Sequence, residues 1–225
     1  SGRLAWEVVR HAGRMLLGRW LPAPRSEAER ERLTLAASIF STLSVQTFYA
    51  DRLLEHFTAN FVAVNLAEAA RDFSTATVAY NSLGYMAGLG RMDALAHRYF
   101  RRASVPADAR SPHTDIVEGA WHLTFGRWEE GLRLAEQGIA TARRLHDHFT
   151  LCTGLEVLGM GLEMAREPVA AQYVRESMLR EANEVSNVTN VMWALTEMTP
   201  TLLQLARLDE AAERLREAEM LLGLA

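Results

Sequence analysis

The sequence predicts an all-α chain in which antiparallel helical hairpins stack one on the next. Three observations carry that prediction. Apolar residues recur at i, i+3, i+4 and i+7 through long stretches, while alternation of Val, Ile and Thr is nearly absent. Pro and Gly are sparse and fall between those stretches, so connections are short and successive helices must run antiparallel. Small residues at Ala96, Gly131, Ala171 and Ala211 line up at spacings of 35, 40 and 40 residues, as tandem units would place them.

Taken in order, helices are expected at about 4–20, 27–47, 50–71, 73–89, 92–104, 113–125, 128–145, 149–166, 168–184, 188–206 and 208–222. Gly90-Arg91 ends one helix and Gly126-Arg127 another, and Pro168 occupies a first turn, where its missing N–H costs nothing. Glu129 and Glu130 open a helix that closes near Arg143 and Arg144, which suits the helix dipole. Asp209 and Glu210 open another whose later turns hold Arg214 and Arg216. Pro200 falls inside the tenth segment and is expected to bend it.

From Tyr80 the chain reads Tyr-x2-Leu-Gly through Leu83 and Gly84, then places Ala96, Phe100 and Ala103 at 16, 20 and 23 residues from Tyr80. Gly84 is expected to face Ala96 where two helices cross closely, leaving Phe100 to fill the gap to the next hairpin. Gly119 occupies the place of Gly84, Leu158-Gly159 repeats the Leu-Gly pair, and Gly126, Trp128 and Gly131 mark the second turn. This pattern resembles the tetratricopeptide repeat (TPR). The resemblance implies hairpins stacked as a right-handed superhelix, an α-solenoid. By it, 1–72 holds N-terminal helices of a degenerate repeat or capping region, and 73–225 holds repeats at about 73–110, 111–147, 148–186 and 187–225. The stretches 62–70, 79–90 and 96–103 are also similar to the C-terminal repeat region of bacterial signalling proteins with an AAA-type or STAND-type ATPase module. Such proteins often carry an adenylate/guanylate cyclase domain. That likeness implies a non-catalytic segment, with any ATPase or cyclase outside it. It is shared by the maltose-regulator type of LuxR activators, whose repeats sense a small effector, and this is the alternative reading. The opening Ser-Gly-Arg and closing Leu-Leu-Gly-Leu-Ala read as a piece of a longer protein.

Composition narrows the chemistry. The chain has 225 residues, 49% of them hydrophobic, with 28 acidic and 24 basic side chains and a formal charge of -4. Every basic residue apart from histidine is arginine. A broad cationic surface for nucleic acid is not expected, and without lysine neither Schiff-base chemistry nor a phosphate-loop lysine exists. The single Cys152 excludes an internal disulfide and suits a reducing, cytoplasmic setting. No run is apolar enough for a confident membrane span. His146-Asp147-His148 is the densest histidine cluster and reads as a polar turn, so no metal and no cofactor is expected. Cys152, four residues after His148, reads as a buried, inert thiol.

A binding surface follows from the resemblance, because the first helices of successive TPR hairpins line one concave groove. The outward residues assigned to it are Asn81, Tyr85, Ile116, Ala120, Glu156, Met160, Glu163, Trp193, Thr196 and Glu197. Trp193 and Tyr85 supply amphipathic contact area, with Asn81 and Thr196 as hydrogen-bonding partners. The glutamates favour a neutral or basic occupant: a protein or peptide partner, or another domain of the same chain. Apolar end faces of such an array would allow a homodimer. Gly84→Leu is expected to overpack a helix crossing and Glu68→Ala to do little.

Overall fold

The structure, a computed structural model, describes residues 2–17, 24, 26–72, 74–104 and 111–223. Among these, eleven α-helices and no strand occur: α1 Gly2–Leu17, α2 Glu27–Tyr49, α3 Leu53–Ala70, α4 Thr77–Leu89, α5 Asp93–Ala103, α6 Pro112–Thr124, α7 Trp128–Leu145, α8 His148–Met164, α9 Pro168–Glu184, α10 Val188–Gln204 and α11 Leu208–Leu221. A short 3-10 turn, Ser74–Ala76, precedes α4 where a continuous helix was expected. The expected helical residues 18–20 and 73, and the repeat residues 105–110, 224 and 225, lie outside the described residues.

Turn chemistry explains why the helices stop where they do. Asp51, Arg91, Gly126, Arg166 and Ala206 all adopt left-handed backbone, at φ of 54, 59, 70, 63 and 56°. They recur at intervals of 40, 35, 40 and 40 residues, so the first interval extends the repeat to the α2–α3 hairpin. In each turn the next N–H reaches back five residues: Arg52 to Thr47, Met92 to Ala87, Arg127 to His122, Glu167 to Leu162 and Arg207 to Leu202, at 2.8–3.0 Å. This closure satisfies carbonyls that the helix end would leave bare. Four of the five positions are not glycine, which costs roughly 1 kcal/mol each and hides the turn from a search for Gly. The turns between hairpins close in the same way, with Asp72, Asp147 and Asn187 reaching back to Ala67, Ala142 and Ala182 at 2.9–3.0 Å, and two of them add a side-chain cap. His146 and Ser186 are left-handed there, and Asp147 and Asn187 then cap α8 and α10 by accepting from the N–H of Thr150 and Asn190, each at 3.1 Å.

The chain divides into two compact units, Ser1–Thr114 and Asp115–Ala225, a division that falls within α6. In the first, α2 lies along α3 and α4 along α5, while α1 packs on α3. Helix α1 turns its polar side inward: Glu7 and His11 are buried, whereas Trp6 and Val9 are each 64% exposed. In the second, α8 pairs with α9 and α10 with α11, and α9 packs on α10. Ile139, Leu151, Leu155, Met178 and Ala194 form one core cluster there, and Met198, Leu202 and Ala211 another.

Small residues set the helix crossings, with one correction to the expected partner. A Cβ on Gly84 would lie 2.9 Å from Cε1 of Phe100, so the ring of Phe100, ahead of Ala96, is the nearest side chain over the glycine. Phe100 is therefore packed inside its own hairpin. On α6, a Cβ on Gly119 would lie 2.9 Å from the Gly131 carbonyl oxygen and 3.1 Å from the Ala135 nitrogen, a backbone-to-backbone approach. Gly159, at the equivalent place on α8, would put its Cβ 3.4 Å from Arg175 side-chain atoms, an ordinary contact. Urea unfolding should separate the two: Gly119→Ala is expected to lose about 1–3 kcal/mol, and Gly159→Ala to be neutral or to gain up to about 1 kcal/mol. Equal effects would contradict the crossing geometry. Tyr80, Leu83, Ala96, Ala103, Ala171 and Ala211 are buried, Leu158 is half-buried, and Trp128 is exposed at the start of α7. Pro200 stands inside α10, which continues through it to Gln204.

Candidate functional site

Helical spacing puts Glu156, Met160 and Glu163 on one face of α8, and Trp193, Glu197 and Thr201 on one face of α10. Arg175 of α9 joins them. Its side chain is 0% exposed. Nε donates to Glu163 Oε1 at 3.3 Å and to Thr201 Oγ1 at 3.2 Å, and Nη2 donates to Glu163 Oε2 at 2.8 Å. Nη1 lies 3.2 Å from Oε2 of Glu197, an ion pair across to α10. Thr201 Oγ1 donates to Glu163 Oε1, so the same carboxylate takes both groups. One buried guanidinium thus fixes two carboxylates and a hydroxyl from two first helices.

The charges do not balance, since three glutamates share one cation. Burial first, then the Glu197 carboxylate, push the Glu156 carboxyl up to about 7, with Arg175 pulling the other way. A folded-state value above the usual 4.5 means that the native chain holds a proton which the unfolded chain gives up. Stability is therefore highest below about 4.5 and falls as pH rises through about 7. Buried His11 has the opposite sign: desolvation first, then Arg102, lower it from 6.5 to about 4, so its contribution is lost as pH falls through that window. Relative to wild type, Glu156→Gln is expected to gain stability progressively as pH rises from about 4.5 through about 7, in urea titrations at several pH values. A difference between variant and wild type that does not change with pH would contradict the assignment.

The remaining expected groove residues divide sharply. Asn81 is fully buried, and its Nδ2 lies 2.9 Å from His113 Nδ1 and donates to Thr114 Oγ1 at 3.1 Å, a tie from α4 to α6. Ile116 is 0% exposed and lies beneath Gly154, whose Cβ would approach it at 2.8 Å. Ala120 is buried as well. These three are packing residues and line no open groove, because the face assigned to them is covered. Tyr85 is half-buried on α4 in the first unit. Thr196 is exposed, but its hydroxyl bonds back to the carbonyls of Met192 and Trp193 at 3.1 and 2.9 Å. Trp193 packs by one side on the Ile139–Ala194 cluster. Glu156, Met160, Glu163, Trp193 and Glu197 are left as a half-buried face, with Arg175 and Thr201 beneath it. Sequence reading missed both.

It also missed a polar cluster in the first unit. Glu68 is 7% exposed at its side chain and accepts from the Tyr80 hydroxyl at 2.9 Å and from Arg102. Burial raises the Glu68 carboxyl against the pull of Arg102. Asn65 Nδ2 donates to Glu7 Oε2 at 2.8 Å, tying α3 to α1. Glu68 is therefore not a solvated surface residue, and the expectation that Glu68→Ala does little is overturned. Cys152 is fully buried, with its thiol pushed up to about 11 by burial and then by Glu181. Among the described residues no group of three or more His, Cys, Asp or Glu is placed to hold a metal ion, and no helix is long and apolar enough to cross a membrane.

No protein-family model and no curated protein matches the chain. Among solved structures, one described as the functional characterization of Pseudomonas aeruginosa PilF, a TPR-containing protein, is similar to it with a TM-score of 0.54 and 17% identity. The similarity covers 82% of this chain and 74% of that one. It shows the fold: an all-α array of TPR-like helical repeats.

Proposed function

We propose that this chain is a non-catalytic interaction or sensor module of a bacterial signalling or regulatory protein, working in the cytoplasm. Its α8–α10 face holds a neutral or basic segment of a protein partner or of a neighbouring domain. One observation carries the reading: Glu156, Glu163 and Glu197 converge on a single buried cation beside Trp193 and Met160, leaving a half-buried face with negative charge in excess. A basic side chain offsets that charge while the indole and thioether take up its aliphatic stem. The absence of lysine, the inert thiol and the repeat fold agree with a holding role.

The reading is tested by panning a random heptapeptide display library on the whole chain and titrating the selected peptides against wild type, Glu197→Gln and Trp193→Ala. Enrichment of Arg or Lys is expected, with affinity falling tenfold or more in each variant, as loss of a charge-assisted contact or an aromatic anchor produces. Selected peptides that bind both variants as tightly as wild type would remove the face from consideration.

A further inference from the structure

The repeats supply their own measure of which side chains the fold requires, because the left-handed turn residues Asp51, Arg91, Gly126, Arg166 and Ala206 fix a common register. Ten residues before the turn stand Ser41, Asn81, Ile116, Glu156 and Thr196. Nine before it stand Thr42, Ser82, Val117, Val157 and Glu197, and three before it Phe48, Gly88, Leu123, Glu163 and Leu203. Nine residues after it stand Asn60, Phe100, Ala135, Arg175 and Leu215. Every charge at these four places belongs to the α8–α10 face: Glu156, Glu197, Glu163 and Arg175. The α2–α3, α4–α5 and α6–α7 hairpins close the same turns with neutral residues there, so hairpin formation does not demand the cluster. Burying charge is costly to a fold that manages without it, and functional sites are where such costs are kept.

Within the cluster the three carboxyls are not equivalent. Glu163 accepts through both oxygens, from Nε and Nη2 of Arg175 and from Thr201. Glu197 pairs with the third nitrogen, Nη1, at 3.2 Å. The guanidinium is thereby used up, and among the described residues no hydrogen bond reaches the Glu156 carboxyl. The charged group acting on Glu156 from α9 is Arg175, and from α10 it is Glu197. Along α8 itself Glu163 lies two turns on and is already bound, and no charge of α7 acts on Glu156 among the described residues. A half-buried carboxyl with no donor of its own and a second carboxylate beside it keeps its proton until a cation arrives. Burial and Glu197 both push it that way, to about 7.

On the reading of this face as the seat of a basic segment, we propose that it exchanges a proton for that occupant, with Glu156 as the group that releases it. In the empty face the Glu156 carboxyl carries the proton. When an arginine or lysine side chain of the partner enters, the O–H bond breaks, the proton passes to water, and the carboxylate left behind pairs with the incoming cation. One positive charge leaves as another enters, so the half-buried face gains no net charge. Proton and occupant therefore compete, and binding strengthens as pH rises and weakens as it falls.

Isothermal titration calorimetry of the 225-residue chain with acetylated hexa-arginine amide tests this, the probe having no group that titrates between about pH 5.5 and about pH 8. Wild type is expected to bind about tenfold or more tightly at the higher pH and, near pH 7, to release about half a proton per complex, read from the difference between phosphate and Tris buffers. Glu156→Gln is expected to bind at both pH values about as wild type does at the lower one, with no proton released. Equal wild-type affinity at the two pH values without proton release would overturn the exchange and leave the basic occupant standing. The same pH dependence in Glu156→Gln would overturn the assignment to Glu156. A probe that does not bind wild type, or that binds Glu197→Gln as tightly, would overturn the reading of the face and the exchange with it.

Discussion

Glu68→Ala is expected to destabilise the first unit by about 3–5 kcal/mol, measured by urea unfolding at neutral pH. The carboxylate is buried and takes the Tyr80 hydroxyl at 2.9 Å and the Arg102 guanidinium, so truncation leaves a part-buried cation and a buried hydroxyl without their acceptor. Desolvation already counts against this group, as its raised pKa indicates. What remains after the deletion is the penalty without the compensating contacts. Glu68→Gln keeps an acceptor for Tyr80 but gives up the charge, and should fall between wild type and alanine. A loss under about 0.5 kcal/mol for the alanine variant, the range of an ordinary surface substitution, would contradict the buried network.

Arg175→Ala is expected to lose a comparable amount, about 3–5 kcal/mol, in the second unit. Here the removed cation is fully buried, and Glu163, Glu197 and Glu156 are left facing one another across α8 and α10. The loss should grow with pH, because protonation relieves the repulsion among carboxylates that have lost their counter-charge. Arg175→Met fills most of the volume and should recover part of the packing at pH 5 but little of the pH 8 deficit. Should alanine and methionine lose the same amount with no dependence on pH, the guanidinium would be acting as filler alone.

Much of the architecture was legible in the residues. Periodicity located each helix to within a few positions, and Asp209-Glu210 or Pro168 marked starts because their preferences are local. Local chemistry also hid things. Arg166 and Ala206 sit in left-handed turns that only the i−5 closure reveals, and neither residue type advertises that backbone. The Tyr80–Gly84–Phe100 pattern identified a helix crossing, yet spacing alone could not say whether Ala96 or Phe100 lay over the glycine.

The candidate face was only half legible for a related reason. Periodicity assigns residues to a stripe of a helix but not to the neighbour that covers it, so Asn81, Ile116 and Ala120 were read as open and are enclosed. A charge in a helix reads by default as solvated. Arg175 and Glu68 escape that default because acceptors or donors on other helices meet them: Glu163 and Tyr80 each lie twelve residues away, and Thr201 and Arg102 lie further off. Helix α1 shows the same limit, since its strong two-sidedness does not disclose that Glu7 and His11 are the inward side.

The central claim is that stacked hairpins gather carboxylates from α8 and α10 around one buried arginine of α9. Carbon-detected NMR titration of the glutamate side-chain carboxyls reads that gathering directly. Glu156 should titrate with a midpoint near 7 in the wild-type chain, shifted by burial and by Glu197. A midpoint at the ordinary 4.5 would mean that Glu156 stands apart in water, and that the α8–α10 face does not exist as described.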